Sequence, residues 1–351
     1  MKNNSIREVA KRAGVSIATV SRVINQSANV DPMKVEAVKE AMEYYKYVPN
    51  QFGRGLVKQK TEMIGVYFSY SGRSLFDNTF YLELLRGIDK AVSGEKYSLL
   101  LINENSDDDE KKQPKYIEYI YQHRIDGILL NGMSEEMAKR GELIQLIEEG
   151  YPVVYIGKQI HELGMNVYAQ YEVYMKQMIE KFYKNGHRSI LVFLEDKKRN
   201  LHLFEKICVQ CRKEYGDIRI QTVAVGTKGQ KEVIQNRLKE FIFRNHGSAV
   251  FTYDMDCAFA VINFCGQNGI KIPADISLIS VEHKMNYGAD LYPQVSSFYV
   301  PAKEMGYQAG KMLIECLKNG EYCGLSVKFE TIYKERGSLG AARTVLNKYK
   351  N

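Results

Sequence analysis

Short apolar runs and longer amphipathic stretches alternate along the chain from Met63 onward. The runs at 63–68, 97–102, 127–130 and 153–156 predict buried strands. Between them, the stretches at 81–92, 113–122 and 135–149 carry apolar residues at helical spacing and predict helices. A second set repeats the pattern, with strands at 189–193, 218–225, 249–251 and 276–281 and helices at 171–184, 201–214, 231–245 and 254–267. Repeated strand–helix units predict parallel sheets with helices on both faces, and two sets predict two lobes. Ligands of such folds sit beyond the carboxyl ends of the strands, here in the cleft between the lobes.

The first sixty residues follow a different rhythm. Ser5-Ile6-Arg7-Glu8 has the form of a capping box, in which Ser5 starts a helix and Glu8 reaches back to the Ser5 amide. Ile6, Val9, Ala10 and Ala13 follow at helical spacing, and Gly14 ends the helix. Ser16 caps a second helix running to about Asn25, with Val20, Val23 and Ile24 inward and Ile17, Ala18, Ser21 and Arg22 outward. Asp31-Pro32 opens a third helix, where Val35, Val38, Met42 and Tyr45 share a face. Two short helices joined by a tight Gly-Val turn and braced by a third form a helix-turn-helix, whose second helix enters the major groove of DNA. The outward residues suit that place. The hydroxyls of Ser16, Thr19 and Ser21 reach phosphates, Ile17 and Ala18 touch thymine methyls, and Arg22 donates two hydrogen bonds to guanine. The alternative is a three-helix bundle with a solvated face, which usually carries more charge and fewer small residues.

Charge sharpens this picture. Residues 1–60 hold 11 Lys and Arg against 5 Asp and Glu, a balance of +6, while the other 38 and 37 leave only +1 for 61–351. A basic unit on a near-neutral body points to a polyanionic partner. At 351 residues there is room for two or three domains, and 45% hydrophobic content excludes a mainly disordered chain. The apolar runs fall far short of the roughly 18 residues that span a bilayer, so no membrane partner is expected. The opening residues lead into a polar helix pattern without an apolar signal core, which predicts a cytoplasmic protein with six reduced cysteines. The chain has no phosphate loop, no His-Glu-x-x-His and no Gly-x-Ser-x-Gly, so no enzyme, cofactor or metal is expected.

Four segments closely resemble the DNA-binding headpiece of LacI/GalR-type bacterial transcription regulators: Ile6-Arg7-Glu8-Val9-Ala10, Ala13-Gly14-Val15-Ser16, Ala18-Thr19-Val20-Ser21-Arg22-Val23-Ile24-Asn25 and Tyr47-Val48-Pro49-Asn50. A weaker resemblance continues to about Ser338, through Leu84-Leu85-Arg86-Gly87-Ile88, Arg124-Ile125-Asp126-Gly127-Ile128, Gly186-His187-Arg188-Ser189-Ile190 and Arg336-Gly337-Ser338. It implies an all-α helix-turn-helix headpiece at 1–48, a hinge at 49–60, an α/β two-lobed periplasmic-binding-protein-like sensor and dimerisation domain at 61–340, and a tail at 341–351. The implied operator contacts are Ser5, Ser16, Ile17, Ala18, Thr19, Ser21, Arg22, Asn25, Tyr47, Asn50, Arg54 and Leu56. Leu56 would be the minor-groove wedge of a hinge helix that folds on DNA. Gly53 and Gly55 each cost that helix about 1 kcal/mol relative to alanine, which predicts more disorder without DNA. A plain interdomain linker is the other reading. The implied crossovers return the chain to the first lobe near 296–317 and end it in the second.

The cleft positions depart from the family's pattern. The aromatics Phe80 and Tyr81 remain, suited to stacking on a sugar or another flat ligand. Gly157-Lys158 stands for the usual Asp-Arg, Gln170-Tyr171 for Asp-Asn, Tyr253-Asp254 for Asn-Asp, and Ser280-Val281-Glu282-His283 for Gly-Phe-Asp-Asp. The candidate effector contacts are therefore Phe80, Tyr81, Lys158, Gln170, Tyr253, Asp254, Glu282 and His283. Sugar hydroxyls need short fixed carboxylates and a bidentate guanidinium, so the cleft has been rewritten or has lost its ligand. Elsewhere, Cys208 and Cys211 have redox or metal spacing but fall inside a predicted helix, where core packing is the expectation. His187 reads as a turn residue.

These observations predict a homodimeric repressor that binds a pseudo-palindromic double-stranded operator under control of a small-molecule effector, a sugar by family resemblance. One alternative keeps DNA binding and makes the lobes a dimerisation or protein-partner platform. Another is a cytosolic sugar-binding protein without DNA function.

Overall fold

The computed structural model describes residues 5–25, 30–47, 60–70, 75–105, 113–133, 135–157, 164–195, 198–226, 230–320 and 325–342. They fall into two compact units, Met1–Met63 with Tyr119–Asp126, and Ile64–Glu118 with Gly127–Asn351.

In the first unit, α1 (Ile6–Ala13), α2 (Ile17–Ile24) and α3 (Pro32–Tyr45) surround a core of Val9, Ala10, Val20, Val38 and Ala41. Each helix starts on a polar cap. The Ser5 amide donates to Glu8 at 3.2 Å, the Thr19 amide to Ser16 Oγ at 3.1 Å, and the Met33 amide to Asp31 Oδ1 at 2.9 Å. Gly14 turns the chain at φ 65°, a left-handed conformation that costs a side-chain-bearing residue steric strain. Asp126 fastens Thr61 and Glu62: its carboxylate accepts from the Thr61 amide, the Thr61 hydroxyl and the Glu62 amide at 2.7–2.8 Å.

The second unit holds two six-stranded sheets. The first has the order β11-β5-β4-β3-β1-β2, with β1 (Met63–Tyr70), β2 (Ser98–Asn105), β3 (Gly127–Asn131), β4 (Val153–Gly157), β5 (Met165–Ala169) and β11 (Ser326–Phe329). The second has the order β12-β10-β9-β8-β6-β7, with β6 (Ser189–Glu195), β7 (Arg219–Val225), β8 (Ala249–Thr252), β9 (Ser277–Glu282), β10 (Ser296–Tyr299) and β12 (Ile332–Lys334). β1, β3, β4, β5 and β11 pair in parallel, as do β6 to β10 in the second sheet; β12 is antiparallel to β10. Parallel strands covered on both faces are apolar throughout. In β6, Ile190, Val192 and Leu194 enter one core while Leu191 and Phe193 enter the other.

The helices of this unit are α4 (Thr79–Val92), α5 (Lys115–Tyr121), α6 (Glu135–Ala138), α7 (Gly141–Glu148), α8 (Tyr171–Lys184), α9 (Lys198–Tyr215), α10 (Gln230–Lys239), α11 (Met255–Gln267) and α12 (Ala302–Asn319). The stretch read as one helix at 135–149 is two, because the chain is extended at Arg140 (ψ 130°), whose carbonyl starts α7. The helix read at 231–245 ends as a π-turn, Glu240–Arg244, which carries Phe241 and Ile242 into the second-lobe core. Among the described residues no helix is long and apolar enough to cross a membrane.

The chain passes between the sheets after Ala169, Tyr299 and Phe329. The return to the first lobe thus begins at Ala302, beyond Ser296, which is still in the second sheet. Helix α12 then packs along α4 and under β3, β4 and β5. The α4–α12 crossing is close because it is made of glycines: a Cβ on Gly87 would lie 1.9 Å from the Lys303 carbonyl oxygen, and one on Gly306 2.1 Å from that of Leu84. Gly306 and Gly310, inside α12, also explain why it was not legible as a helix, since each lowers helix propensity.

Candidate functional site

Helix α2 turns the expected side chains outward. Ile17 is 46% exposed, and Ala18 and Arg22 stand beside it on the solvent side, while Val20 is fully buried and Val23 and Ile24 pack on the core. Ser16 Oγ is 2.9 Å from Thr19 Oγ1, so these two hydroxyls hold each other at the helix start. Ser21 Oγ accepts from Asn25 Nδ2 at 3.4 Å. Asn25 Oδ1 is buried without a partner. Ser5 lies half-buried at the start of α1, and Tyr47 packs against the core while its amide donates to Met42. Arg7, Lys11, Arg12, Lys34, Lys39 and Lys46 of this unit are exposed; the Arg12 guanidinium sits 3.5 Å above the Tyr44 ring and braces α1 on α3. Such a unit presents methyl groups, a planar five-donor cation and a cationic rim to a groove. Asn50, Arg54 and Leu56 lie outside the described residues.

The cleft of the two-lobed unit is drawn differently. Asn78 caps α4 by accepting from the Phe80 amide at 2.9 Å, and Phe80 is half-buried. Tyr81, expected beside it as a stacking surface, turns the other way: it is 4% exposed, with its ring centroid 5.3 Å from that of Phe68, and belongs to the core. Gln170 occupies the N-cap of α8 without a side-chain capping bond. Tyr253 is half-buried on the second-lobe core. Asp254 is 8% exposed and caps α11, its Oδ1 accepting from the Cys257 amide at 2.8 Å. Lys158 lies outside the described residues.

Glu282 has no exposed surface. Its Oε1 is 2.8 Å from Arg336 Nη2 and 3.5 Å from Lys334 Nζ, and its Oε2 accepts from the Gly288 amide at 2.9 Å. Arg336 is held in turn by the Val295 carbonyl at 2.8 Å and Ser297 Oγ at 2.7 Å. The carboxylate expected to accept from a ligand is thus spent on a buried ion pair. Sequence reasoning took Arg336 only as part of the family resemblance and missed Lys334. The signal was their i, i+2 spacing, which sets both cations on one side of an extended chain.

His283 follows at the carboxyl end of β9. Its ring is met edge-on by Phe80 from the first lobe, with centroids 5.1 Å apart and planes at 73°. Nδ1 of the ring is buried without a partner. Burial pushes the imidazole pKa down to about 4, against the opposing pull of Asp254, Glu282 and Val300, so the ring is neutral at physiological pH.

The remaining candidates are structural. Cys208 and Cys211 are free thiols buried in the core from α9, and burial pushes the Cys208 thiol up to about 12. His187 is 1% exposed and ties the C-terminal segment to the second lobe, with Nδ1 2.8 Å from Ser248 Oγ and Nε2 2.9 Å from Ser277 Oγ and 3.0 Å from the Gly340 oxygen.

A helix-turn-helix joined to two parallel-sheet lobes defines a class of regulatory protein, and comparison with known proteins agrees. Residues 5–50 match the model of bacterial regulatory proteins of the lacI family, and residues 179–339 that of a periplasmic binding protein-like domain. The chain is 25% identical over 324 residues to the probable HTH-type transcriptional regulator EndR of Paenibacillus polymyxa, covering 90% of this chain and 92% of that one. It is 26% identical to catabolite control protein A of Priestia megaterium, covering 89% and 92%. In fold it is similar to a Lacl family regulator from Silicibacter pomeroyi (18% identity, 96% and 99% covered, TM-score 0.78) and to the lac repressor dimer bound to operator and the anti-inducer ONPF (17%, 96% and 99%, TM-score 0.72). The chain belongs to the lacI family of bacterial regulatory proteins. It is a DNA-binding transcriptional regulator.

Proposed function

We propose that the chain is a cytoplasmic, effector-controlled repressor that binds a pseudo-palindromic operator as a homodimer and carries out no catalytic step. In this reading, residues 1–48 form the headpiece, 49–60 the hinge, 61–340 the sensor and 341–351 a tail. Two copies of α2 enter successive major grooves, with Ile17 and Ala18 on thymine methyls and Arg22 on guanine. Ser5, Ser16, Thr19, Ser21, Asn25, Tyr47, Asn50 and Arg54 hold the backbone, and Leu56 wedges the minor groove between the half-sites. An effector that prefers one closure state of the lobes shifts the hinges, and only differential affinity produces such a shift. The observation that carries this reading is the outward set Ile17, Ala18 and Arg22 on a capped second helix, set among exposed cations. Selection of bound duplexes from a random library tests it. An inverted repeat that loses affinity with Arg22→Ala supports the assignment, and unchanged affinity sinks it.

The sealed Glu282 favours a second reading, in which the lobes bind no small molecule and serve as a platform for dimerisation or a protein partner. The neighbouring structures carry cellobiose, ribose and D-xylulofuranose. Sugar is accordingly the first effector class to compare.

A further inference from the structure

Residues 61–63 and the segment before β3 are tied together. The Asp126 carboxylate accepts from the Thr61 amide, the Thr61 hydroxyl and the Glu62 amide, and the Asp126 amide donates to the Met63 carbonyl at 2.8 Å. Thr61 Oγ1 also accepts from the Met63 amide at 3.2 Å. Between them Glu62 takes up φ 58°, a left-handed backbone that a residue with a side chain keeps only where its surroundings hold it. The tie therefore fixes the place of everything next to it.

Two cations stand next to it. Lys60, beside Thr61, is exposed. Arg124, two residues before Asp126, is exposed with its guanidinium 4.0 Å above the Tyr119 ring. The ring supports one face of the guanidinium and leaves its N–H donors, which lie in the plane, to other partners. His123 turns the chain at φ 51° after α5, its amide donating to the Ile120 carbonyl and that of Arg124 to the Tyr119 carbonyl, both at 2.9 Å. The carbonyls that would repel an anion at this helix end are thus occupied, as is the Asp126 carboxylate. Among the described residues, neither Lys60 nor Arg124 forms an ion pair.

Leu56, the proposed minor-groove wedge, stands five residues before Thr61. Five residues of chain span at most about 18 Å. The minor groove is about 7.5 Å deep, so its phosphate rim comes within roughly 10 Å of Thr61 and of the cations tied beside it. We propose that Lys60 and Arg124 form a second anion site, separate from the recognition helix, that takes the phosphodiester backbone along the operator's central minor groove. This inference rests on the reading of the chain as an operator-binding dimer with its hinge in that groove. Arg124 lays guanidinium N–H groups on phosphate oxygens, and Lys60 sets a point charge beside them. Such contacts fix position and carry no base information. Because Asp126 holds Thr61 to the first lobe, the sensor itself grips the DNA backbone wherever the hinge enters the groove.

The test is a fluorescence-anisotropy titration of the full chain on its selected operator at salt concentrations from about 50 to about 200 mM. Each phosphate contact contributes about 0.9 to the slope of log K against log salt, and a dimer makes each contact twice. Arg124→Gln should flatten the slope by about 1.8, so that its loss of affinity is about twelvefold larger at the low end of that range than at the high end. Lys60→Gln leaves the Tyr119 contact intact and should act alike, so the result does not depend on the folding of one variant. Arg124→Lys should restore the slope, which a role confined to packing on Tyr119 would not allow. Selection from a random library should return the same inverted repeat for Arg124→Gln as for the wild type. A slope that both glutamine variants leave unchanged overturns the proposal, and Arg22→Ala then still tests the recognition helix by itself. A flattened slope that Arg124→Lys fails to restore also overturns it, as does a changed base preference in Arg124→Gln. If the wild-type chain selects no duplex, the proposal falls together with the operator reading.

Discussion

Helix α2 turns Val20, Val23 and Ile24 inward and leaves Ile17, Ala18 and Arg22 in solvent, whereas the strand end at Glu282 and His283 turns its charge and its hydrogen-bonding atoms inward. In the headpiece the chemistry that meets a partner is what remains after the core has been satisfied. In the cleft, the core of the second lobe has claimed the groups that would meet a ligand. Glu282 is locked by cations more than fifty residues later in the chain, and Nδ1 of the neighbouring His283 is buried without a partner. The difference teaches that an exposed recognition surface tolerates being read one side chain at a time. A buried polar site must be read as a network, because each partner changes what the others have to offer.

The sharpest way to break this comparison is to remove Glu282. Glu282→Ala should cost about 3–5 kcal/mol of stability in urea denaturation, since it strands Arg336 in a buried place. Glu282→Ala combined with Arg336→Met should cost less than the sum of the two single changes, and strict additivity would refute the coupled network. Arg22→Ala should behave in the opposite manner. Operator affinity falls by about 1–3 kcal/mol in a binding titration while the melting temperature stays put, because an exposed side chain contributes little to folding. Ser16→Ala falls between the two kinds of site: losing the cap of α2 should cost about 1 kcal/mol of headpiece stability, read by headpiece unfolding followed by circular dichroism.

The smallest effect belongs to protons. His283 has a folded pKa of about 4 against an ordinary 6.5, so its contribution to stability is fully present above pH 6.5 and is lost as pH falls from there toward 4. Between pH 7 and pH 6 this loss amounts to about 0.7 kcal/mol, and His283→Phe should flatten that part of the stability profile. A profile equally steep in the variant would show that the proton goes elsewhere, with His187 the next group to examine, since burial lowers its pKa as well.

The headpiece was legible almost completely. Ser5, Gly14, Ser16 and Asp31 do what their local chemistry demands, and helical periodicity sorts Val9, Val20 and Val38 from Ile17 and Arg22 without reference to any distant residue. The two lobes were legible as alternating strands and helices, because strands buried on both faces read as continuous apolar runs. Short β5, β10, β11 and β12 escaped, as did α12 with its two interior glycines. Aromatic character at 80 and 81 was visible too, but not that Phe80 would face the other lobe while Tyr81 faces Phe68.

By itself, then, the sequence determined what short-range physics controls: caps, helical faces, strand burial, and the concentration of positive charge in the first sixty residues. Only the tertiary structure decided the state of the cleft. Arg336 reaches Glu282 because β12 lies antiparallel to β10, and Phe80 reaches His283 because two separately built lobes meet there. Those pairings join residues far apart in the chain, and the free energy of a buried charge or an unmatched nitrogen depends on such distant partners more than on its neighbours in sequence.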